Sequence, residues 1–478
     1  MSANPPVANP WMILPFCILM ALIALGPLGF PKWWHRHYPK ATYALALITM
    51  VYYFFGLHAG QRIGHVAHEY ISFIALIGSL FVVAGGIHIN VKGEATPFVN
   101  MVFLLIGAIL ANLLGTTGAS MLLIRPWLRM NKYRVTAHHV VFFIFIVSNI
   151  GGCLTPIGDP PLFLGYLAGV PFWWVAKHCF PMWLVGMAVL LAMFFVVDYR
   201  NYLRAPKAVR SELTEHDQWR FEGLGNVGFL GVILAAVFIN QPPYLREALM
   251  VGAAIGSYFT TRADVHAANH FDFHPIKEVA VLFIGIFATM LPALDWLEAN
   301  AKGADHINIS WVFWGCGSLS SALDNAPTYL CFLKALTVHF ASPDIVGGVN
   351  HLIQTGGVDI TQVSGPHAEQ IRQTFLILQK YYAVELASGK IGSDQIAIAS
   401  LLGNAEGNQS LAAIAMGAVF FGANTYIGNG PNFMVKSIAE HQKVRTPGFL
   451  GYLWHFTLPF MLPMLLIVWW LFFRHQTL

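Results

Sequence analysis

Apolar residues in this chain gather into long runs separated by short polar stretches. Runs of spanning length lie at about 11–30, 41–57, 70–90, 97–114, 138–170, 181–197, 226–240, 245–261, 278–297, 397–437 and 448–473. A crossing of a ~30 Å hydrocarbon core takes about 20 residues, so the pattern predicts about 11 transmembrane helices. The runs at 138–170 and 397–437 are too long for one straight crossing and carry internal Gly and Pro, which predicts broken helices. Two further apolar stretches, 115–130 and 311–338, have polar or Gly/Pro centres and read as re-entrant hairpins. Irregular backbone at membrane depth is tolerated only where it is buried in protein or lines a cavity. The expected fold class is an all-α polytopic membrane protein.

Composition agrees. The 478 residues are 56% hydrophobic and 10% charged, whereas soluble domains run near ~25% charged. That excludes an ordinary cytosolic enzyme, a disordered chain and a nucleic-acid binder, and makes the lipid bilayer the first partner. The net charge is +4 with no basic tract. Cys17, Cys153, Cys179, Cys316 and Cys331 form no CxxC pair and read as apolar thiols. The first run, Trp11 to Phe30, lacks a small-residue cleavage site, so no cleavable signal peptide is expected. Loop charges favour the N-terminus inside, with Arg62, the Arg125–Arg134 cluster, Lys207, Arg210 and Lys277 cytoplasmic; Lys32, Arg36 and Lys40 oppose that orientation.

The chain contains an internal repeat. Thr155-Pro-Ile-Gly-Asp-Pro-Pro161 recurs as Thr425-Tyr-Ile-Gly-Asn-Gly-Pro431, and the stretch Ala111 to Arg125 lines up with Ser320 to Lys334. The second unit is longer by a polar stretch near 340–396, which reads as an extramembrane insertion with an amphipathic helix over Gln370 to Leu386. The units enter the membrane from opposite sides, the layout of many secondary transporters. The expected division is N-terminal scaffold helices 1–96, a first inverted repeat 97–197, a cytoplasmic loop with scaffold helices 198–277, a second repeat 278–440 containing the insertion, and a C-terminal helix 441–478.

Polar groups concentrate at the breaks and hairpins. The first break offers Ser148, Asn149, Thr155 and Asp159, and the second offers Thr425, Asn429 and Asn432. The hairpins offer Thr116, Thr117 and Ser120, then Asp324 and Asn325. These twelve are the expected ion- or substrate-binding residues. Freed carbonyls at a break coordinate cations, and half-helix N-termini favour anions. An ionisable residue inside the membrane is functional by default, and a carboxylate there binds a cation or holds a proton. Asp159 and Asp324 are therefore expected to face one shared cavity. Capping of the helices that follow them is the structural alternative. His65-Val-Ala-His68-Glu69 lacks the zinc-protease order and reads as a polar interfacial loop. No nucleophile elbow, P-loop or dinucleotide fingerprint marks an enzyme. No resident cofactor and no metal are expected beyond sodium ion and proton as transported or coupling ions.

Ser148-Asn-Ile-Gly-Gly-Cys-Leu-Thr-Pro-Ile-Gly-Asp159 resembles the broken-helix signature of NhaD-type sodium/proton antiporters. Leu114 to Pro126 and Ser321 to Pro327 resemble hairpin segments of the same ion-transporter superfamily, which also holds citrate and dicarboxylate carriers. The run Pro160-Pro-Leu-Phe-Leu164 is closer to a branch assigned to citrate transport. The tips Gly115-Thr-Thr-Gly118 and Asp324-Asn-Ala-Pro327 lack the Ser-Asn-Thr of dicarboxylate carriers. The resemblance implies a homodimer in the cell inner (plasma) membrane. The leading expectation is a sodium/proton antiporter; the alternative is a cation-coupled citrate or dicarboxylate transporter; an intramembrane enzyme is the third class.

Overall fold

The computed structural model describes residues 8–90, 95–204, 220–239, 241–300, 308–355, 360 and 363–474. Helices dominate. The one sheet among the described residues pairs β1 (His88–Asn90) antiparallel with β2 (Arg220–Glu222). The first half runs α1 (Leu14–Gly29), α2 (Pro31–Val51), α3 (Gly60–Gly85), α4 (Pro97–Met130), α5 (Ala137–Ile146), α6 (Pro160–Leu167) and α7 (Phe172–Arg204). The second runs α8 (Asn226–Ala236), α9 (Leu245–Thr260), α10 (Ala263–Ala268), α11 (His274–Asn300), α12 (Ile309–Ala322) and α13 (Asn325–Phe340). It continues through α14 (Pro343–Gln354), α15 (Ala368–Tyr381), α16 (Ala383–Ala387), α17 (Ser393–Gly403), α18 (Ala405–Gly422), α19 (Gly430–His441) and α20 (Phe449–Phe472). Six helices among the described residues are long and apolar enough to cross a membrane. The chain is an all-α polytopic membrane protein.

One of those six is not a single straight helix. The apolar pattern predicts a span at 97–114 followed by a separate hairpin, but α4 is itself a hairpin. Gly115, at φ 72° and ψ 156°, breaks it. Asn100 and Asn131 exchange side-chain hydrogen bonds of 2.8 and 3.1 Å, and Phe103 stacks on Trp127 with ring centroids 5.5 Å apart. On a straight helix residues 100 and 131 would stand ~45 Å apart. Both arms are apolar, so the reversal leaves no trace in the run; it rests on one residue that tolerates positive φ. The second hairpin is α12 and α13, which turn at Leu323 and Asp324 and bring Gly315 to Phe332.

The two halves run in opposite directions. Arg62, near the start of α3, bonds Asp295, near the end of α11, and Phe73 stacks on Phe283 at 4.5 Å. The long helices are therefore antiparallel. α2 packs on α11, with Gly285 close to Thr42, while α9 packs on α3, where Ser72 Oγ donates to Glu247 at 2.5 Å. The relation thus reaches beyond the hairpins to the helices before them. It also separates two residues that loop charges put on one side. Arg62 and Lys277 sit at opposite ends of α11, a 27-residue helix ~40 Å long. Arg62 lies away from Lys277 because the 97–130 stretch turns back at Gly115 instead of running straight on. Lys207 and Arg210 lie outside the described residues.

The core is centred on α5, α12 and α18. Every residue from His138 to Ile146 in α5 is buried, as a helix that is apolar all round must be. Gly317 meets the ring of Phe421, and Gly417 approaches the Phe313 carbonyl, so small residues let α12 and α18 close together. The 340–396 stretch builds its own small core from Val349, Leu352, Phe375 and Leu378. Its amphipathic segment is α15 and α16, divided at Tyr382, whose hydroxyl donates to the Gly169 carbonyl at 2.5 Å. Residues 356–359 and 361–362 lie outside the described part. The His65–Glu69 run is not a loop but early α3, with His65 Nε2 3.4 Å from Glu69 Oε1, because the helix starts before its apolar stretch.

Candidate functional site

Each broken helix is stapled to its hairpin by the same hydrogen bonds. Thr155 Oγ1 donates to the Asn112 carbonyl at 2.6 Å and accepts from Gly158 N at 3.1 Å. In the other half Thr425 Oγ1 donates to the Ser321 carbonyl at 2.7 Å and accepts from Gly428 N at 3.0 Å. Asn112 Nδ2 donates to the Gly151 carbonyl, as Ser321 Oγ does to that of Phe421. Leu154 N donates to Asn112 Oδ1, as Asn424 Nδ2 does to Ser321 Oγ. Asn112 is thus the counterpart of Ser321, Gly115 of Asp324 and Thr116 of Asn325. The turns are tight: a Cβ on Gly158 would lie 2.0 Å from the Gly152 carbonyl oxygen, and one on Gly428 2.6 Å from that of Gly422. Thr155 and Thr425 therefore shape the breaks and spend their hydroxyls on backbone.

Asp159 lies where the halves meet. It occupies the N-cap position of α6, yet its side chain does not cap that helix. Its Oδ1 accepts from Thr116 Oγ1 at 2.7 Å and from Asn429 Nδ2 at 3.0 Å, and its Oδ2 accepts from Asn325 Nδ2 at 2.7 Å. One donor comes from its own hairpin and two come from the opposite half. The carboxylate is 1% exposed, and among the described residues no Lys or Arg bonds it. Behind it Asn429 reaches the Ser148 carbonyl and Asn149 Oδ1, both at 3.2 Å. Asn149 donates to Asn432 Oδ1 at 2.7 Å, and Asn432 donates to the Gly422 and Thr425 carbonyls. Ser120 and Ser148 share a 2.8 Å hydrogen bond. Asn325 Oδ1, beside Asp159, is buried and has no partner among the described residues, and the same holds of Asn424 Oδ1 in the second break. An unpaired buried carbonyl oxygen costs about 1–3 kcal/mol. Beside the Asp159 carboxyl group and the Thr116 hydroxyl, Asn325 Oδ1 forms an oxygen set that suits a small cation.

Asp324 behaves differently. Its Oδ1 accepts from Ala326 N at 3.1 Å, so it does cap α13. It also opens on a cavity of about 250 Å³ between α1, α2, α3 and α11 on one side and the hairpin tips and second break on the other. Asp324, Thr117, Asn429 and Glu278 are among its polar wall residues, and Trp34, Phe73, Phe81 and Phe433 supply aromatic surface. No Lys or Arg lines it among the described residues. Asp159 lies instead on a smaller pocket behind, which shares Thr117, Pro160 and Ile77 with the larger one. Asp324 and Asp159 thus line two adjoining cavities that share part of one wall, Thr117 at the tip of hairpin one included. Helices α6, α13 and α19 and the returning arm of α4 all begin here, at Pro160, Asn325, Gly430 and Thr116, so four positive helix ends converge.

Two buried charge clusters escaped the sequence reading. Asp198, fully buried in α7, takes both oxygens to the Arg134 guanidinium and lies 3.2 and 3.1 Å from His138 and His139. The donor atoms of this trio sit close enough to hold a metal, but Arg134 already occupies the carboxylate. Asp295, also fully buried, accepts from Tyr53 OH at 2.6 Å and from Arg62. An acid inside an apolar run was the available signal for both.

Comparison with curated proteins gives no match. The family described as "Putative citrate transport" matches residues 7–473, nearly the whole chain, and favours the carboxylate alternative over sodium/proton antiport. With its hairpins, broken helices and this match over almost its full length, the chain belongs to that family of membrane transport proteins.

Proposed function

We propose that the protein is a secondary active carrier that moves a citrate-class carboxylate together with a small cation. The observation that carries this reading is Asp159, a buried carboxylate held by Thr116, Asn325 and Asn429 from both halves, next to the partnerless Asn325 Oδ1. A cation bound there would satisfy that oxygen and tie the halves together. The carboxylate would sit in the 250 Å³ cavity, against the helix ends at Asn325 and Gly430. With acids and, among the described residues, no Lys or Arg on the wall, those helix ends and the coupling cation supply the positive charge an anion needs. The same acidic wall supports sodium/proton antiport as a second reading, with Asp159 and Asp324 alternating between cation and proton.

The crossing helices in this reading are α1, α2, α3, α5 with α6, α7, α8, α9, α11, α18 with α19, and α20, with two hairpins between them. The helices before each hairpin form the scaffold; the hairpins and broken helices form the transport unit. Lys32 and Arg36 then share a face with Arg129, Lys132, Arg200, Arg262, Lys277 and Lys443. This basic face is cytoplasmic, in the inner (plasma) membrane, and both chain ends lie outside. The cavity wall reaches His35 and Pro275, so it opens to the cytoplasm. A homodimer fits the scaffold's exposed apolar surface, for example Leu47 and Ile255.

Reconstitution in liposomes tests the reading. Labelled citrate should enter with an imposed cation gradient, and uptake should saturate with both. Sodium-dependent collapse of a pH gradient without citrate uptake would reject carboxylate transport in favour of antiport.

A further inference from the structure

The scaffold and hairpin two face each other at two levels. At the cytoplasmic level the cavity separates them. At the opposite face a chain of charges joins them. Tyr53 OH and the Arg62 guanidinium bond Asp295, Arg62 Nη2 also reaches Glu298 Oε2 at 3.2 Å, and Glu298 Oε2 meets Lys334 Nζ at 2.9 Å. Four of these five residues are on α3, on α11 and in the turn Tyr52–Gly56 that follows α2. Lys334 alone belongs to the hairpin, three turns behind the tip that carries Asp324.

The members differ in permanence. Asp295 is fully buried and holds Arg62 and Tyr53 inside the scaffold. The Lys334 and Glu298 side chains are 25% and 28% exposed. Such a pair is wetted and weak, so it opens and re-forms readily. The repeat adds a second observation. The counterpart of Lys334 is Arg125, on the returning arm of hairpin one, and no ion pair holds Arg125 among the described residues. One hairpin is latched at the closed face and its partner is unlatched at the open face. That asymmetry is what an inverted repeat must show when the molecule is open on one side only.

We propose that the Lys334–Glu298 pair is the releasable latch of the outer gate. It rests on the transport reading above. While closed, it holds hairpin two against α11 and keeps the cavity cytoplasmic. Exposure of the cavity to the outside requires it to break, and the scaffold cluster of Asp295, Arg62 and Tyr53 keeps Glu298 in place for re-closure.

The test reads gate position without any substrate, so its failure is separable from failure of citrate uptake. Phe433→Cys places a thiol on the cavity wall, in a background carrying Cys17→Ser and Cys331→Ser. Vesicles of known orientation are treated with a membrane-impermeant thiol reagent from each side. With the latch intact, labelling should come mainly from the cytoplasmic side. Lys334→Met should raise labelling from the outer side by about two- to five-fold, the range expected for one partly exposed ion pair. Lys334→Arg, which keeps the charge, should not. Glu298→Gln should match Lys334→Met and serves if that variant does not fold. Outer labelling that is the same in Lys334→Met or Glu298→Gln as in the intact pair overturns the proposal.

Discussion

Asp159→Asn separates the role of Asp159 in transport from its role in folding. The carboxylate receives three hydrogen bonds, from Thr116, Asn429 and Asn325. With the new amide oxygen turned to Thr116 and Asn429, two of them persist. Its NH2 group then faces Asn325, whose amide can turn over and present Oδ1, the oxygen that now has no donor. All three contacts survive in neutral form. Each neutral bond is worth about 1 kcal/mol less than its charged equivalent, so about 3 kcal/mol is lost. Against that, a buried charge no longer has to be desolvated, which recovers several kcal/mol. The net change in stability should stay within about 2 kcal/mol of zero. Transport should fall to the level of empty liposomes, because an amide neither binds a cation by charge nor exchanges a proton. Labelled citrate uptake in liposomes, beside thermal unfolding in detergent, gives both numbers. Uptake above half the unaltered rate, at unchanged stability, would refute the argument.

Asp198→Asn should destabilise the protein by about 3–5 kcal/mol, because it strands Arg134 in a buried site beside His138 and His139; an unchanged unfolding midpoint would contradict this. Gly158→Ala should abolish folding, since its Cβ would stand 2.0 Å from the Gly152 carbonyl oxygen, whereas Gly430→Ala, with nothing within 4 Å, should leave the unfolding midpoint in place. Equal midpoints for the two would show that the first break has room to relax. Tyr382→Phe should cost about 1 kcal/mol by removing the hydrogen bond to Gly169 and should leave uptake intact. Loss of uptake in that variant would make the 340–396 insertion part of the transport cycle.

Apolar run length and scarcity of charge were enough to make this a polytopic membrane protein, because a bilayer admits few other structures for such a chain. The alignment of Ala111–Arg125 with Ser320–Lys334 was legible too. It has the register of the staples at Thr155 and Thr425, since those threonines and glycines are what a tight break needs. The polar residues of the site could be named, but their division of labour could not. Thr155 and Thr425 spend their hydroxyls on backbone, Asp324 caps its own helix, and Asp159 at an equivalent-looking cap position instead bonds three side chains. Nor could run length distinguish a crossing from a reversal at Gly115, so the sides of the membrane came out mixed. Hydropathy measures how much apolar chain there is, while direction depends on one backbone dihedral. Ion pairs on buried acids, such as Asp198 with Arg134 and Asp295 with Arg62, join residues 64 and 233 positions apart. Only packing of the whole chain brings such partners together, and only that contact makes a charge tolerable in the interior.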